Sequence, residues 1–340
     1  MKRPVVVKLG SSLVVDGRGR LRRSLLRARA GEVAEIVAGG TPVCVVSSGA
    51  IALGLHRLGL QRRPSGLPRL QAASALGQAA LQRAWQDAFR PFGVEAAQIL
   101  LTSAEIGDRR AYVNVRNALA ALFALGSVPI VNENDATATD EISFGDNDAL
   151  AAQVAVLLKA RLLVLLSSVP GVLAEGTVVE DGAAARSVRF GPGSALGSGG
   201  MESKVAAAEL AAGAGIPTVI ADGGTVGAVT AALHGGAGGT RFAASGSAPA
   251  FKLWLRHGKR IEGRIHVDEG ARRAIVVGGA SLLAVGVTRC EGGFRAGDGV
   301  ELVAPDGAVF ARGIAAADAS ELAGRQVGLE AVHRDRLVLA

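Results

Sequence analysis

The stretch SVPIVNENDATATDEISFGDNDALAAQVAVLL, residues 127–158, decides the predicted fold. It begins with SVPIV, an apolar run of strand length, and it ends with ALAAQVAVLL, an apolar run of helix length. The segment that joins them, VNENDATATDEISFGDND at residues 131–148, carries six carboxylates. A strand that passes through a polar connection into a helix is the repeating unit of an α/β protein, so the stretch predicts that class of fold.

The acidic segment has no cationic partner close to it in sequence, because no Lys or Arg lies between Arg116 and Lys159. Crowded carboxylates repel one another, and this raises their pKa values. We therefore expect a cation from elsewhere to compensate them: a metal ion, a substrate ammonium group or distant arginines. An idle, solvated surface loop is the alternative. The position of the segment between two apolar elements favours a functional loop.

The same alternation of strand and helix patterns extends on both sides of this stretch. The predicted strands lie at residues 4–9, 41–46, 94–102, 128–131, 162–166 and 216–221. Strands separated by helical patterns predict a mostly parallel sheet flanked by helices, an αβα sandwich. Ligands bind at the carboxyl ends of strands in such sheets. Four small-residue turns should therefore gather at one edge with the acidic segment. They lie at residues 10–12, 48–50, 167–168 and 198–200.

The C-terminal part of the chain has a different pattern. Residues 234–250 are rich in Gly, Ala and Ser, which is typical of a flexible linker. The segments GRIHV, AIVV, GVTRC, GVELVAPDG, AVFARG and DRLVLA are typical of short strands separated by turns. We predict an α/β domain at residues 1–240, a linker at 241–250 and a small all-β domain at 251–340.

Composition limits the classes of function. The chain has 340 residues, 49% hydrophobic residues and a formal charge of +7, which describes a globular protein. No apolar run reaches about eighteen residues and no room precedes the first strand for a signal peptide, so we expect a cytoplasmic protein without a membrane span. There are six lysines against thirty-one arginines, so a lysine is retained where its compact charge is needed. Two of them, Lys8 and Lys204, lie beside glycine-rich turns.

The residues SGGMESK at 198–204 favour phosphate chemistry. The first amides of a helix bind phosphate, and Lys204 lies about one turn into the predicted helix. A Gly-Gly helix start alone is more often a simple turn, and no GxxxxGK[ST] motif occurs in the chain. Together with Lys8 on another glycine turn and an acidic loop able to hold Mg²⁺, the set predicts phosphoryl transfer.

At this point the sequence resembles a known family. The matching segments are VVVKLGSSLV, VVSSGAIALG, QILLT, VPIVNENDATATDEISFGDNDALAAQVA, LGSGGMESK, GIPTVIADG, GRIHVDEGARRAI and AVHRD. They resemble the bacterial glutamate 5-kinases, also called γ-glutamyl kinases, which belong to the amino acid kinase superfamily and end in a PUA domain. The resemblance covers essentially the whole chain.

The resemblance implies ATP-dependent phosphorylation of the γ-carboxylate of L-glutamate, with Mg²⁺, as the first step of proline biosynthesis. It implies three catalytic residues, Lys8, Lys204 and Asp148. The implied glutamate-binding residues are Ser48, Asp135, Asn147, Asn132 and Asn134, with Asp146 completing the loop. The implied nucleotide-binding residues are Lys8, Ser167, Ser168, Ser198, Gly199, Gly200, Met201, Glu202, Ser203 and Lys204. No residue is assigned as a metal ligand. A homo-oligomer, either dimer or tetramer, and feedback inhibition by proline are also implied.

One position departs from the family pattern. The family has Thr-Asp at the end of the strand LLVLL, whereas this chain has Ser167-Ser168, and the segment after Gly171 is short. The lost carboxylate concerns contacts with the nucleotide.

Two alternatives remain at this stage. One is a kinase of the same superfamily with another acceptor, such as N-acetylglutamate, aspartate or a nucleoside monophosphate. The NENDAT and GDND motifs and the C-terminal β domain argue against it. The other is RNA binding through the PUA-like domain or the arginines near the N-terminus. Residues 251–340 carry thirteen Lys and Arg against eleven Asp and Glu, a net charge of only +2, so nucleic acid is not the expected partner.

Overall fold

A computed structural model describes most of the chain. The described residues are 2–60, 63–64, 66–102, 105–106, 108–137, 146–188, 190, 200–236, 238–246, 255, 261–324 and 326–339. They form two compact units, residues 1–247 and residues 248–340.

The first unit is built on a seven-stranded sheet with the order β3-β4-β2-β1-β5-β8-β9. Its strands are β1 (Val5–Leu9), β2 (Val43–Ser47), β3 (Ala96–Leu101), β4 (Val128–Glu133), β5 (Leu162–Ser167), β8 (Thr218–Asp222) and β9 (Thr240–Phe242). Neighbouring strands are parallel except for the pair β8 and β9. A separate hairpin consists of β6 (Leu173–Ala174) and β7 (Thr177–Val178). The predicted mostly parallel sheet is confirmed.

Helices cover both faces of this sheet, as predicted. The helices described in this unit are α1 (Ser11–Val14), α2 (Arg23–Ala38), α3 (Ala50–Arg57), α4 (Leu67–Phe89), α5 (Arg109–Ala124), α6 (Asp146–Leu157), α7 (Gly182–Ala185), α8 (Met201–Gly213) and α9 (Ala228–Leu233). Helices α2, α4 and α9 pack with one face of the sheet in a single apolar core that includes Trp85 and Phe89. Helix α6 packs against β1 and α8, and α8 packs against β8.

The pleat of β1 determines where its lysine points. Val5, Val7 and Leu9 belong to the core shared with α2 and α4. Successive side chains of a strand point to opposite faces, so Lys8 projects to the other face, the side of α6. A lysine in a buried central strand must find charged partners there, since an unpaired buried ammonium is costly. This single alternation delivers a cation to the carboxyl edge of the sheet.

Helices α3 and α4 cross with their backbones in contact. A Cβ atom on Gly54 would lie 1.7 Å from the oxygen of Ala73, and one on Gly77 would lie 1.8 Å from the oxygen of Ala50. Only glycine fits at both positions, because any side chain would overlap a backbone atom. The crossing brings the first half of α4 next to the turn that follows β2.

The second unit contains a six-stranded sheet with the order β11-β15-β14-β13-β10-β12. Its strands are β10 (Ile261–Val267), β11 (Leu282–Leu283), β12 (Val287–Glu291), β13 (Gly299–Val303), β14 (Val309–Ala315) and β15 (Glu330–Leu339). Two short helices, α10 (Glu269–Val276) and α11 (Ala319–Ala323), accompany it. The predicted β-rich domain is confirmed, with its own apolar core around Ile265 and Phe294.

One predicted strand of this domain is wrong. The segment AIVV, residues 274–277, falls at the end of helix α10. The Asp268 carboxylate caps this helix by accepting from the amide of Ala271 at 2.7 Å, and Ile275 is the one buried residue of the helix. An aspartate cap followed by apolar residues at helical spacing outweighs the strand preference of three β-branched residues.

The predicted domain limits of 240 and 250 remain a prediction. Residues 241 and 242, assigned to the linker from sequence, form the end of edge strand β9, and the two compact units divide after residue 247. Across the part of the chain that the structure describes, no helix is long and apolar enough to span a membrane.

Candidate active site

A buried cluster of two lysines and one aspartate lies at the carboxyl edge of the sheet. Asp148 has no exposed surface, and its two oxygens contact different lysines. Lys8 Nζ lies 2.6 Å from Asp148 Oδ1, and Lys204 Nζ lies 3.1 Å from Asp148 Oδ2. Lys8 comes from β1, Asp148 from the first turn of α6 and Lys204 from the first turn of α8. Three elements that are distant in sequence therefore meet at one carboxylate.

The surroundings of this cluster stabilise the charged form of Asp148 and destabilise the charged form of Lys8. The pKa of Lys8 is lowered to about 8: burial is the largest cause, the charge of Lys204 acts in the same direction, and Asp148 opposes the shift. Burial by itself would raise the pKa of Asp148, but the two ammonium groups outweigh it and the pKa lies below its ordinary value. The cluster holds two cations against one anion, so it carries an excess positive charge that an anionic ligand would neutralise.

The start of α8 provides a second feature suited to an anion. Gly200, the N-cap of this 13-residue helix, makes no side-chain cap hydrogen bond, so among the described residues the cap leaves the first amides available to an anion. Ser203 Oγ lies 3.0 Å from Asp148 Oδ2 and 3.0 Å from the oxygen of Gly200. Met201 is half-buried and Glu202 is exposed. Of the predicted nucleotide-binding residues, Ser198 and Gly199 lie outside the described residues.

The other predicted nucleotide-binding residues lie at the end of β5. Ser167 is buried and accepts from the amide of Val169 at 3.5 Å, whereas Ser168 is exposed. Ser167 pairs with Asp222 of the adjacent strand β8. No carboxylate stands at position 167 or 168, so these residues contribute hydroxyl groups only.

The end of β4 forms the second part of the candidate site. Asn132 is buried, donates from Nδ2 to Gln78 Oε1 at 2.8 Å and accepts from Asn147 Nδ2 at 3.1 Å. Asp135 is buried and accepts from the hydroxyl of Ser74. Asn134 is held by its backbone N–H, which donates to the backbone oxygen of Leu101 at 2.8 Å. The structure thus joins four of the predicted glutamate-binding residues to one end of β4 and the start of α6.

Asp135 differs from Asp148 in its charge environment. Burial raises the pKa of Asp135 above its ordinary value, and the hydrogen bond from Ser74 and the charge of Arg63 oppose this only in part. Its hydrogen bond from Ser74 comes from a neutral hydroxyl rather than from an ammonium group, so Asp135 is less compensated than Asp148.

Ser48 follows β2 at the turn that leads into α3. Its amide donates to the oxygen of Leu9 at 3.0 Å, which ties the turn to the end of β1. The next residue, Gly49, has a φ of 114°, and a Cβ atom there would lie 2.9 Å from Val14. Glycine is therefore required by both the backbone conformation and the close approach.

Sequence reasoning missed Ser74 and Gln78 of helix α4, which contact Asp135 and Asn132. A signal was present in the sequence. Ser74, Gln78 and Gln82 recur at a spacing of four residues, so they share one face of the helix. Polar residues on the buried face of a helix need specific partners.

The described residues offer no dedicated metal cage. No group of three or more His, Cys, Asp or Glu side chains that could hold a metal is found among them. Asp148 is already engaged by two lysines and is unsuited to be a metal ligand. Of the other acids of segment 131–148, Asp140, Glu141 and the side chain of Asp146 lie outside the described residues. A Mg²⁺ ion at this site would therefore be held by the phosphates of the nucleotide and by water rather than by a set of protein carboxylates.

Comparison with known proteins identifies the class. The model of the amino acid kinase family matches residues 3–222, and the model of the PUA domain matches residues 263–336. Because the first match spans more than half of the chain, the chain belongs to the amino acid kinase family.

Curated relatives narrow the class further. The chain is 43% identical over 363 residues to the glutamate 5-kinase of Myxococcus xanthus, covering 99% of this chain and 96% of the relative. It is 43% identical over 364 residues to the glutamate 5-kinase of Sphingopyxis alaskensis, at 98% and 97% coverage. It is 39% identical over 358 residues to the glutamate 5-kinase of Thermus thermophilus, at 98% and 96% coverage. The chain is a member of the glutamate 5-kinase family, which confirms the resemblance predicted from its motifs.

Proposed function

We propose that this chain phosphorylates the γ-carboxylate of L-glutamate with ATP, giving γ-glutamyl phosphate and ADP in the first step of proline biosynthesis. The observation that carries the proposal is the buried Lys8–Asp148–Lys204 cluster at the carboxyl edge of the sheet. Membership of the glutamate 5-kinase family supports the choice of substrate, and an acceptor such as N-acetylglutamate or aspartate is not favoured.

The chemistry needs no general base. The γ-carboxylate of glutamate has an ordinary pKa of about 4.3, so it is already ionised at neutral pH. One of its oxygens attacks the γ-phosphorus of ATP, a phosphorus–oxygen bond forms, and the bond to the ADP oxygen breaks with its electron pair leaving on ADP. Negative charge crowds between nucleophile and leaving group. Lys8 and Lys204, held apart on the two oxygens of Asp148, stabilise that charge in the transition state.

The nucleotide is proposed to bind at the start of α8. The uncapped amides after Gly200 would receive phosphate oxygens, and Lys204 lies one turn further along the same helix. Ser167 and Ser168 would line the nucleotide region with hydroxyl groups. Ser198 and Gly199 stay in the proposed nucleotide set on the strength of the sequence motif alone. Mg²⁺ would neutralise phosphate charge when bound with ATP.

Glutamate is proposed to bind at the end of β4. Asp135 would hold its ammonium group, since this buried carboxylate has no lysine against it among the described residues. Asn147, Asn132 and Asn134 would contribute amide contacts from the same loop. Ser48 would bind from the turn after β2, which is tied to the end of β1 beside Lys8.

We also propose assembly into a homo-oligomer, a dimer or a tetramer. Helix α5 has mostly exposed or half-buried side chains although it is rich in Ala and Leu, and Leu125 just after it is 78% exposed. Strand β3 is an edge strand of the sheet, with Ile99 and Leu100 half-buried. Apolar surface of this kind beside a sheet edge is suited to a second copy. We keep proline as a proposed feedback inhibitor, because its ammonium could compete for Asp135, and the cytoplasm as the proposed location.

The direct test is ATP-dependent formation of γ-glutamyl hydroxamate from purified protein and L-glutamate, with aspartate and N-acetylglutamate as control acceptors. We expect hydroxamate with glutamate alone. Turnover of either control at the rate of glutamate would reject the proposed acceptor, and absence of turnover with all three would reject the kinase activity.

A further inference from the structure

Helix α4 carries a buried polar row that the sequence motifs do not include. Ser74, Gln78 and Gln82 are 4%, 8% and 8% exposed and lie one turn apart on the same face. Each contacts a different part of the unit. The Ser74 hydroxyl donates to Asp135, Gln78 Oε1 accepts from Asn132, and Gln82 Nε2 donates to the oxygen of Ala96 at 2.7 Å.

Gln78 begins a chain of three amides that ends at the start of α6. Asn132 Nδ2 donates to Gln78 Oε1, so its other amide atom, Oδ1, is left to accept from Asn147 Nδ2. Each amide has one donor side and one acceptor side, and the direction at one end therefore fixes the direction at the other. The last atom of the chain is Asn147 Oδ1.

The two ends of this chain are buried and unsatisfied. Asn147 Oδ1 and Gln78 Nε2 have no hydrogen-bond partner in the part of the protein that the structure describes. Buried polar atoms without partners are uncommon and point to a missing group. The free atom at Asn147 is an acceptor. The ionised carboxylate of Asp135, whose partner Ser74 lies one turn before Gln78 on α4, also offers only acceptors. A ligand group that only donates hydrogen bonds therefore matches both Asn147 Oδ1 and the carboxylate of Asp135.

We propose that Gln78 is a positioning residue that sets the direction of the Gln78–Asn132–Asn147 amide chain, so that Asn147 presents oxygen to the ammonium group of the substrate. The enzyme would thereby select acceptors with a free amino group over dicarboxylates that lack one. This inference rests on the glutamate site proposed above. Gln78 does not itself touch the substrate.

Replacing Gln78 would leave the orientation of the Asn132 and Asn147 side-chain amides unconstrained. Without an acceptor at position 78, Asn132 can rotate, and Asn147 can then turn its Nδ2 group toward the ammonium. Two donors facing each other lose a hydrogen bond and repel. Only the contact with the ammonium group is lost, so the affinity for a ligand without an amino group should not change.

The experiment compares the affinities of L-glutamate and glutarate, the same dicarboxylate without the amino group, by calorimetric titration. The variant is Gln78→Met, which keeps the side-chain length and removes both amide groups. Gln82→Met is the matched control, because Gln82 lies on the same face with the same exposure but contacts the backbone of β3. Gln78→Glu retains an acceptor for Asn132 and serves as the conservative variant. Thermal unfolding of each variant is measured in parallel.

We expect the wild type to prefer L-glutamate. Gln78→Met should reduce this preference about tenfold by weakening glutamate binding while glutarate binding is unchanged, since one misplaced buried hydrogen bond costs about that factor. Gln82→Met should lower the melting temperature and leave the preference intact, and Gln78→Glu should retain most of the preference.

Other results would overturn the inference. An unchanged preference in Gln78→Met, or an equal loss for both ligands, would show that Gln78 only supports packing. If Gln78→Met fails to fold, loss of the preference in Gln78→Glu would contradict the role of the acceptor. A wild type that binds both ligands equally, or does not turn over glutamate, would instead reject the proposed function itself.

Discussion

Two buried aspartates, thirteen positions apart in one acidic segment, have opposite environments. Asp148 is held by two ammonium groups, and its pKa lies below the ordinary value. Asp135 accepts a hydrogen bond from a neutral hydroxyl, and burial raises its pKa although that hydrogen bond and the charge of Arg63 oppose the shift. In the first site the aspartate is compensated, and it can keep two lysines in place before any ligand arrives. The second site holds a carboxylate whose charge a ligand cation can neutralise. In the function we propose, the first site serves the transition state and the second serves substrate binding.

The largest expected effect comes from removing one cation of the first site. Lys204→Ala should lower kcat by about a thousandfold, because one transition-state charge contact is worth about that factor. The fold should persist, since Lys8 still pairs with Asp148. Turnover by the hydroxamate assay and circular dichroism measure the two properties. Lys159→Ala, at an exposed lysine after α6, is the control and should be neutral. Near-normal turnover of Lys204→Ala would remove the distinction between the two aspartates.

A smaller effect is expected from the second site. Asp135→Ala should raise KM for glutamate by about a hundredfold, because truncating one partner of a buried charge contact costs about 2–5 kcal/mol. KM for ATP should change little. Initial-rate kinetics with each substrate varied in turn measures both constants. If the effect fell on ATP alone, the assignment of Asp135 to glutamate would be wrong.

The alkaline limb of the pH–rate profile should report on the first site, through Lys8. Lys8 is charged below its pKa of about 8 and neutral above it, so positive charge is lost from the first site as pH rises. Since a single essential group titrates with a slope of one, kcat/KM for ATP should fall about tenfold per pH unit well above that value. A profile that stays flat to about pH 10 would contradict the lowered pKa of Lys8.

The acid side should report on the second site. Asp135 accepts protons at a higher pH than an ordinary aspartate, and its protonated form cannot hold an ammonium group, so kcat/KM for glutamate should fall as the medium becomes acidic. Ser74→Ala should move this acid limb to higher pH, because the hydrogen bond from Ser74 lowers the pKa of Asp135. Ser203→Ala, next to the first aspartate, is the control and should leave the acid limb in place. An acid limb that does not move in Ser74→Ala would break the link between Ser74 and Asp135.

The smallest effect is expected from removing the second unit. Both aspartates lie in the unit formed by residues 1–247, which has its own core. A truncated chain ending at residue 247 should fold and retain γ-glutamyl phosphate formation, with the contrast between the Lys204 and Asp135 variants unchanged. Size-exclusion chromatography and the hydroxamate assay test this. A soluble, folded truncation without activity at saturating substrates would show that the second unit takes part in catalysis.

Several structural features could be predicted from the sequence because they are local. Periodicity indicated the alternation of strands and helices, and the glycine turns marked the ends of β1, β2 and the start of α8. The prediction for residues 274–277 was wrong for a local reason as well. The segment AIVV was judged by its β-branched residues, without the aspartate cap at Asp268 that makes it the end of a helix.

The sequence by itself determined the class of fold, the family and the residue types available for phosphoryl transfer, since hydrophobic period and motif spacing are properties of the chain alone. Only the tertiary structure decided which acid meets which partner. The acidic segment lacks lysine and arginine, so its compensation had to come from β1 and α8 through the pleat and the parallel order of the strands. The contacts of Ser74 and Gln78 likewise follow from the packing of α4, which crosses α3 with the two backbones in contact. A side chain's partner depends on such long-range packing, which no local pattern encodes.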